Sequence, residues 1–184
     1  MEPWGDFSPH PWRRYLARTF DIYVNGIALL FLGSFSWAAL DPVSYTGWAD
    51  FTADAKNTAA LGYMITVLGF FANIFLLGIT GTTLGKWIYG IRVAKQDGSS
   101  LGIGLAFKRE LAVFVRGYGF GIPLVSLFTL VTGYRTLTSE KMASWDRDYA
   151  LQVSQRANSV GQLIAGAAAI LALVVGLIAL NAIK

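Results

Sequence analysis

The chain alternates long apolar runs with short polar ones. Residues 16–37 are apolar apart from Arg18, Asp21, Asn25 and a few small polar side chains. That is long enough to cross a bilayer core, which takes roughly 20 residues in a helix. Residues 58–81 repeat the pattern. Residues 111–134 form a third apolar stretch, interrupted by Arg116, Gly117, Gly119, Gly121 and Pro123. Glycine costs about 1 kcal/mol and proline about 3 kcal/mol in a helix interior. This segment therefore either crosses as one kinked helix or enters and returns, broken at the glycines. Residues 161–184 are a fourth run, nearly free of polar groups after Gln162. The predicted fold is an all-α integral membrane protein with four hydrophobic segments, three of them spanning helices.

The polar intervals have their own patterns. Residues 41–56 carry Asp41, Asp50 and Asp54 with a single lysine and read as an outer loop. Trp87-Ile88-Tyr89-Gly90-Ile91-Arg92-Val93 is apolar, aromatic and basic together. An Asp97-Gly98 turn follows. Leu101, Leu105 and Ala106 then stand at helical spacing ahead of Lys108, Arg109 and Glu110. This interval predicts a cytoplasmic interfacial segment: an extended piece, a turn, and a helix lying on the lipid. Residues 1–156 read as one membrane domain and 157–184 as an additional C-terminal transmembrane helix. Gly26 and Gly33 on one span, and Gly62 and Gly69 on the other, are small residues a heptad apart, which let helices approach closely. The run Ala165-Gly166-Ala167-Ala168-Ala169 offers a similar face for packing or self-association. No repeat at a solenoid period is visible.

Composition agrees with a bilayer. Of 184 residues only 14% are charged and 54% are hydrophobic, against about 25% charged in soluble domains. The net charge of +4 does not indicate nucleic acid, because the basic residues flank apolar runs instead of forming a stripe. Positive charge belongs on cytoplasmic loops, which places the N-terminus inside, with Trp12-Arg13-Arg14-Tyr15 as an interfacial anchor. If residues 111–134 re-enter, Arg116, Arg135, Lys141, Arg147 and Arg156 also lie inside, leaving Lys56 and Lys184 outside. The re-entrant arrangement follows the positive-inside rule better than a crossing one.

Little conventional chemistry is available. There is no cysteine, and the single histidine, His10, lies in the N-terminal tail between prolines. No metal or cofactor set, catalytic triad or acid pair can be assembled, so an enzyme is not expected. Gly81-Thr82-Thr83-Leu84-Gly85-Lys86 lacks the spacing of a phosphate loop, and Trp87 stands where Ser or Thr should. What remains is charge within or beside the spans. A carboxylate at a helix centre costs about 2.5 to 3.5 kcal/mol to insert, so Asp21 needs a partner. Arg18, one turn earlier on the same face, is the nearest. Asn25 and Asn73 are positioned to hydrogen-bond across helices.

Arg18-Thr19-Phe20-Asp21, the block from Gly85 to Val93, Asp97-Gly98, Arg109 and Trp145-Asp146-Arg147 together resemble the RDD family of bacterial membrane proteins. The resemblance covers residues 12–153. It implies that Arg18, Asp21 and Asp146 are the arginine and two aspartates for which the family is named. The chain departs from the family after Asp146, where Asp148-Tyr149-Ala150-Leu151 replaces a small-residue run, so Asp148 is an alternative working carboxylate. The resemblance implies a multi-pass protein of the bacterial inner membrane. Two functions are open. One is transport of an ion or small solute, with Arg18, Asp21 and Asp146 as the charge site and Asn25, Arg109, Arg116 and Asp148 as secondary candidates. The other is an accessory or assembly subunit in which the same charges lock helix packing. The expected partners are the lipid bilayer and either a second copy or another membrane protein.

Overall fold

The computed structural model describes residues 4–157 and 159–182; Lys184, assigned above to the outer side, lies outside them. Helix α1, Pro11–Leu40, and helix α3, Thr58–Thr80, pack against each other. At 30 and 23 residues they are about 45 and 35 Å long. Both are apolar enough to cross a bilayer. Their contact depends on two glycines. A Cβ on Gly26 would lie 2.1 Å from the Ile65 carbonyl oxygen, and one on Gly69 would lie 2.1 Å from that of Ile22. Gly33 and Gly62, the other members of each heptad pair, face open space. The close approach is thus confined to the half of the helix pair nearer Asp21.

The polar interval 41–56 is a helix and not a loop. In α2, Pro42–Ala53, the Asp41 carboxylate caps the first turn by accepting from Ser44 N at 3.1 Å. Trp48 stacks between Trp37 and Phe51 and donates to Ser34 Oγ at 2.8 Å, which seats α2 on the end of α1.

After α3 come a five-residue helix α4, Leu84–Ile88, and strand β1, Ile91–Lys95. The Asp97-Gly98 turn leads into α5, Ile103–Arg116. This helix runs through the boundary expected at Glu110, so the interfacial helix and the start of the third apolar stretch are one element. The break falls at the glycines. Phe120 adopts φ 60° within the short turn Gly119–Gly121, and α6, Pro123–Glu140, follows. Helix α6 doubles back: Thr129 Oγ1 donates to Gly117 O at 3.2 Å, and Gly117 and Gly133 both face the Trp145 ring. A second five-residue helix α7, Ser144–Asp148, leads into strand β2, Leu151–Gln155, and then α8, Val160–Ala182.

The strands correct the all-α expectation. β1 and β2 pair antiparallel, with Val93 opposite Val153 at the centre and Ile91 opposite Gln155 at one end. The N-terminal tail joins their edge, since Asp6 and Gln155 exchange backbone hydrogen bonds. Arg13 closes the corner by donating to the carbonyls of Tyr89 and Arg156, both at 3.1 Å. The main apolar cluster gathers Ala17, Ile74, Leu77, Ile91, Val93, Leu101, Leu151 and Val153 beneath this sheet. Tyr89 Oη donates to Gly166 O at 2.9 Å, so the small-residue run of α8 serves to seat a tyrosine ring.

The order of elements holds a repeat that residue identities conceal. A first helix (α1, α5), a second helix (α3, α6), a five-residue helix (α4, α7), a left-handed residue and a five-residue strand (β1, β2) occur twice. The left-handed residue is Gly90 in the first copy, φ 62°, and Ala150 in the second, φ 50°. The strand register is symmetric about Val93 and Val153, as a two-fold axis between the copies requires. Ala150 is exposed, and left-handed backbone costs a residue bearing a Cβ roughly 1 to 2 kcal/mol. Ala150→Gly is therefore expected to stabilise the detergent-purified protein by about 1 kcal/mol, read as a raised thermal midpoint. Gly90→Ala is expected to lower the midpoint, because its Cβ would also strike Gln162 Nε2 at 1.9 Å.

Candidate functional site

Arg14, Arg18, Asp21 and Asn25 are spaced four, three and four apart, which aligns them along one face of α1. Each meets a different partner. Asn25 Nδ2 donates to Asn73 Oδ1 at 2.7 Å, joining α1 to α3 deep in the pair. Asp21, fully buried, is the pivot. Its Oδ1 accepts from Gly85 N at 2.6 Å; its Oδ2 accepts from the Thr83 hydroxyl and lies 3.5 Å from Lys86 Nζ. Lys86 Nζ in turn donates to Thr83 Oγ1 at 3.1 Å. The expected Arg18–Asp21 pair is therefore replaced: the cation on Asp21 is Lys86, brought by α4. Residue 85 must be glycine for this. A Cβ there would lie 2.4 Å from Ala17 O and 3.0 Å from the Asp21 carboxylate. The Gly-Lys pair that fails as a phosphate loop is thus a cradle for a side-chain carboxylate. Burial pushes the Lys86 ammonium below its ordinary range, and the Asp21 and Glu110 carboxylates oppose that shift.

The second copy builds the complementary site. Asp146 on α7 is 1% exposed; its Oδ1 accepts from Arg109 Nε at 2.9 Å and its Oδ2 lies 3.5 Å from Arg14 Nη1. Arg109 also pairs with Glu110, itself buried, whose role the sequence reading missed by treating it as a helix end. In the first copy the acid is on the first helix and the base on the five-residue one; in the second these are exchanged. The secondary candidates Arg116 and Asp148 pair with each other at 2.7 Å in a bridge about two-fifths exposed, apart from the buried set. Asp148, the alternative carboxylate, thus stands outside the cluster that holds Asp146.

Arg18 stands differently. Among the described residues it has no carboxylate within 4 Å; its guanidinium lies 5.7 Å from the centre of the Trp145 ring. Its Nε, like that of Arg14, is buried without an acceptor. Arg14, Arg18, Lys86, Arg109 and Asp146 all line one cavity of about 370 Å³, with apolar side chains from α1 and α6 in its walls. Both copies contribute to it.

Two helices are long and apolar enough to cross a bilayer, and charge is buried at their base. The RDD family profile matches residues 8–148, and the chain belongs to the RDD family. No curated protein and no solved structure matches the chain.

Breaking a buried ion pair from one side costs about 3 to 5 kcal/mol, because the other charge stays behind. Asp21→Asn is expected to lower stability on that scale, and Asp21→Asn with Lys86→Met to recover most of the loss. The corresponding cycle with Arg18→Gln is expected to show no comparable coupling. Thermal midpoints of the single and double variants in detergent measure both.

Proposed function

We propose that the protein is a transport component whose solute binds in the cavity between the two copies of the repeat. The observation that carries this is the position of that cavity. It takes Arg18 and Lys86 from the first copy and Arg109 and Asp146 from the second. Parallel repeats about an axis along the membrane normal, with the solute held between them, are one of the recurrent designs of secondary transporters. Of the residues lining the cavity, Arg18 and Arg14 are the ones with a buried N–H that has no acceptor. In this reading Asp21 and Asp146 are positioning residues and carry no ion. The reading is also non-enzymatic: each of the three carboxylates buried among the described residues is already held by a cation, and His10 is engaged with Asp6 at 2.8 Å.

The strand pairing supports a re-entrant third segment. β1 precedes α5 and β2 follows α6, and paired strands lie on one side of a membrane. The intervening chain then crosses an even number of times. Helices α5 and α6, 14 and 18 residues, are about 21 and 27 Å long, short of the roughly 30 Å core. Entry and return is the arrangement that satisfies both. With α1 and α3 as a crossing pair, the N-terminus, the sheet and the charge site share the basic face, which is cytoplasmic in an inner membrane.

An accessory-subunit role is favoured by a separate observation, the saturation of the buried acids, which serves packing as well as it serves transport. The two readings differ in access. The chain has no cysteine, so Leu130→Cys, on the cavity wall, can be labelled selectively with a membrane-impermeant maleimide. A transporter is expected to expose this position in both spheroplasts and inverted vesicles as the cavity opens to each side in turn. Labelling from one side alone would reject transport and leave the accessory role.

A further inference from the structure

The geometry points to an anionic membrane lipid as the occupant of the cavity, its oxyanion headgroup against Arg18 and Arg14 and its chain leaving between α1 and α6; this rests on the cavity being the binding site proposed above. The charge balance comes first. Among the described residues, four cations, Arg14, Arg18, Lys86 and Arg109, face three buried acids, Asp21, Glu110 and Asp146. Every acid is taken by Lys86, Arg109 or Arg14, and Arg18 is left with an aromatic ring. An arginine does not shed its proton at ordinary pH, so the surplus is not relieved by titration. Its fork fits a phosphate or carboxylate through two N–H groups, and the buried Nε atoms of Arg14 and Arg18 have no acceptor among the described residues.

The walls decide between a free anion and an amphiphile. Away from the charged floor the lining is aliphatic and aromatic, with Leu130, Val131 and Leu137 from α6. The rim residues Trp12, Tyr15 and Tyr134 are 70%, 40% and 50% exposed, so the cavity opens between α1 and α6. Beside that opening α6 presents Leu124, Leu127 and Phe128, all exposed. Trp and Tyr around an opening whose neighbours are bare hydrocarbon are the residues of a headgroup-depth boundary. At about 370 Å³ the space is near the lower end of the roughly 300 to 1,000 Å³ of ligand pockets. It suits a headgroup and the first part of a chain, the remainder lying in the bilayer.

Two substitutions test the site without disturbing the ion pairs. Arg18→Gln removes the surplus charge. Gly133→Leu fills the cavity: a Cβ there meets only the Trp145 ring at 3.7 Å, an ordinary contact, so the larger side chain has room to extend. Native mass spectrometry of the full chain in non-ionic detergent would count adducts of dioleoyl phosphatidate, oleate and dioleoyl phosphatidylcholine, with inorganic phosphate as competitor. Circular dichroism and monodisperse elution would establish that each variant is folded. The expected result is one tightly held anionic lipid per chain, preferred over phosphatidylcholine and not displaced by phosphate. Loss of charge-assisted hydrogen bonds predicts about tenfold or more weaker binding in Arg18→Gln, and Gly133→Leu is expected to abolish it. Equal retention of phosphatidylcholine, displacement by phosphate alone, or unchanged binding in both folded variants would each overturn the inference. Lipid binding with one-sided labelling of Leu130→Cys sinks only the transport reading; two-sided labelling without lipid selectivity sinks only this one.

Discussion

The architecture depends on one buried carboxylate. Asp21 lies within a helix of lipid-crossing length and is wholly shielded from solvent. It is tolerated because residues 83–86 surround it with a backbone N–H, a hydroxyl and an ammonium. Those donors reach it only if the chain after α3 turns back against α1, and that approach is open only to a residue without a Cβ at position 85. Fixing α4 fixes the start of β1. β1 sets the register of β2, and β2 holds α7 where Asp146 can meet Arg109 and Arg14. The cost of burying a charge is thus converted into a specification of arrangement. Ion pairs of this kind contribute little net stability and are better regarded as locks on register.

The exchange of acid and base between the two copies has a physical effect. With identical charges in both, like groups would meet at the seam. With the exchange, α1 presents Arg14 to the acid of the second copy, and the Glu110 carboxylate of the second copy lies close enough to Lys86 of the first to oppose its deprotonation. The seam is cross-linked by opposite charges, while Arg18 lines the cavity without a carboxylate partner among the described residues.

Much of this was legible in the residues and some was not. The two long helices, the break at the glycines, an extended piece before the Asp97-Gly98 turn and the family followed from hydropathy and short motifs. The partner of Asp21 did not, because helical spacing favours the near neighbour, Arg18, over Lys86, which is 65 positions away and enters only through tertiary packing. The significance of Glu110 was hidden by the same locality: at the end of a polar cluster it looked like a solvated helix terminus. α2 was misread because its aspartates suggested an outer loop, although Asp41 followed by Pro42 is a helix start. The sheet was invisible because β2 is only five residues long and lies in a mixed-charge interval. The repeat is carried by backbone geometry, with Tyr89 and Tyr149 among the few identities shared at equivalent positions.

The pairing of β1 with β2 also constrains how the molecule is made. β1 is complete at Lys95, but its partner strand ends only at Gln155. At about 5 to 20 residues per second, translation leaves β1 without its mate for roughly 3 to 12 seconds while α5, α6 and α7 are synthesised. During that interval β1 has an unpaired edge, open to any extended segment nearby. Tethering by the Lys86–Asp21 contact, which needs no residue beyond position 86, keeps that edge against its own helix until the chain that completes it has emerged.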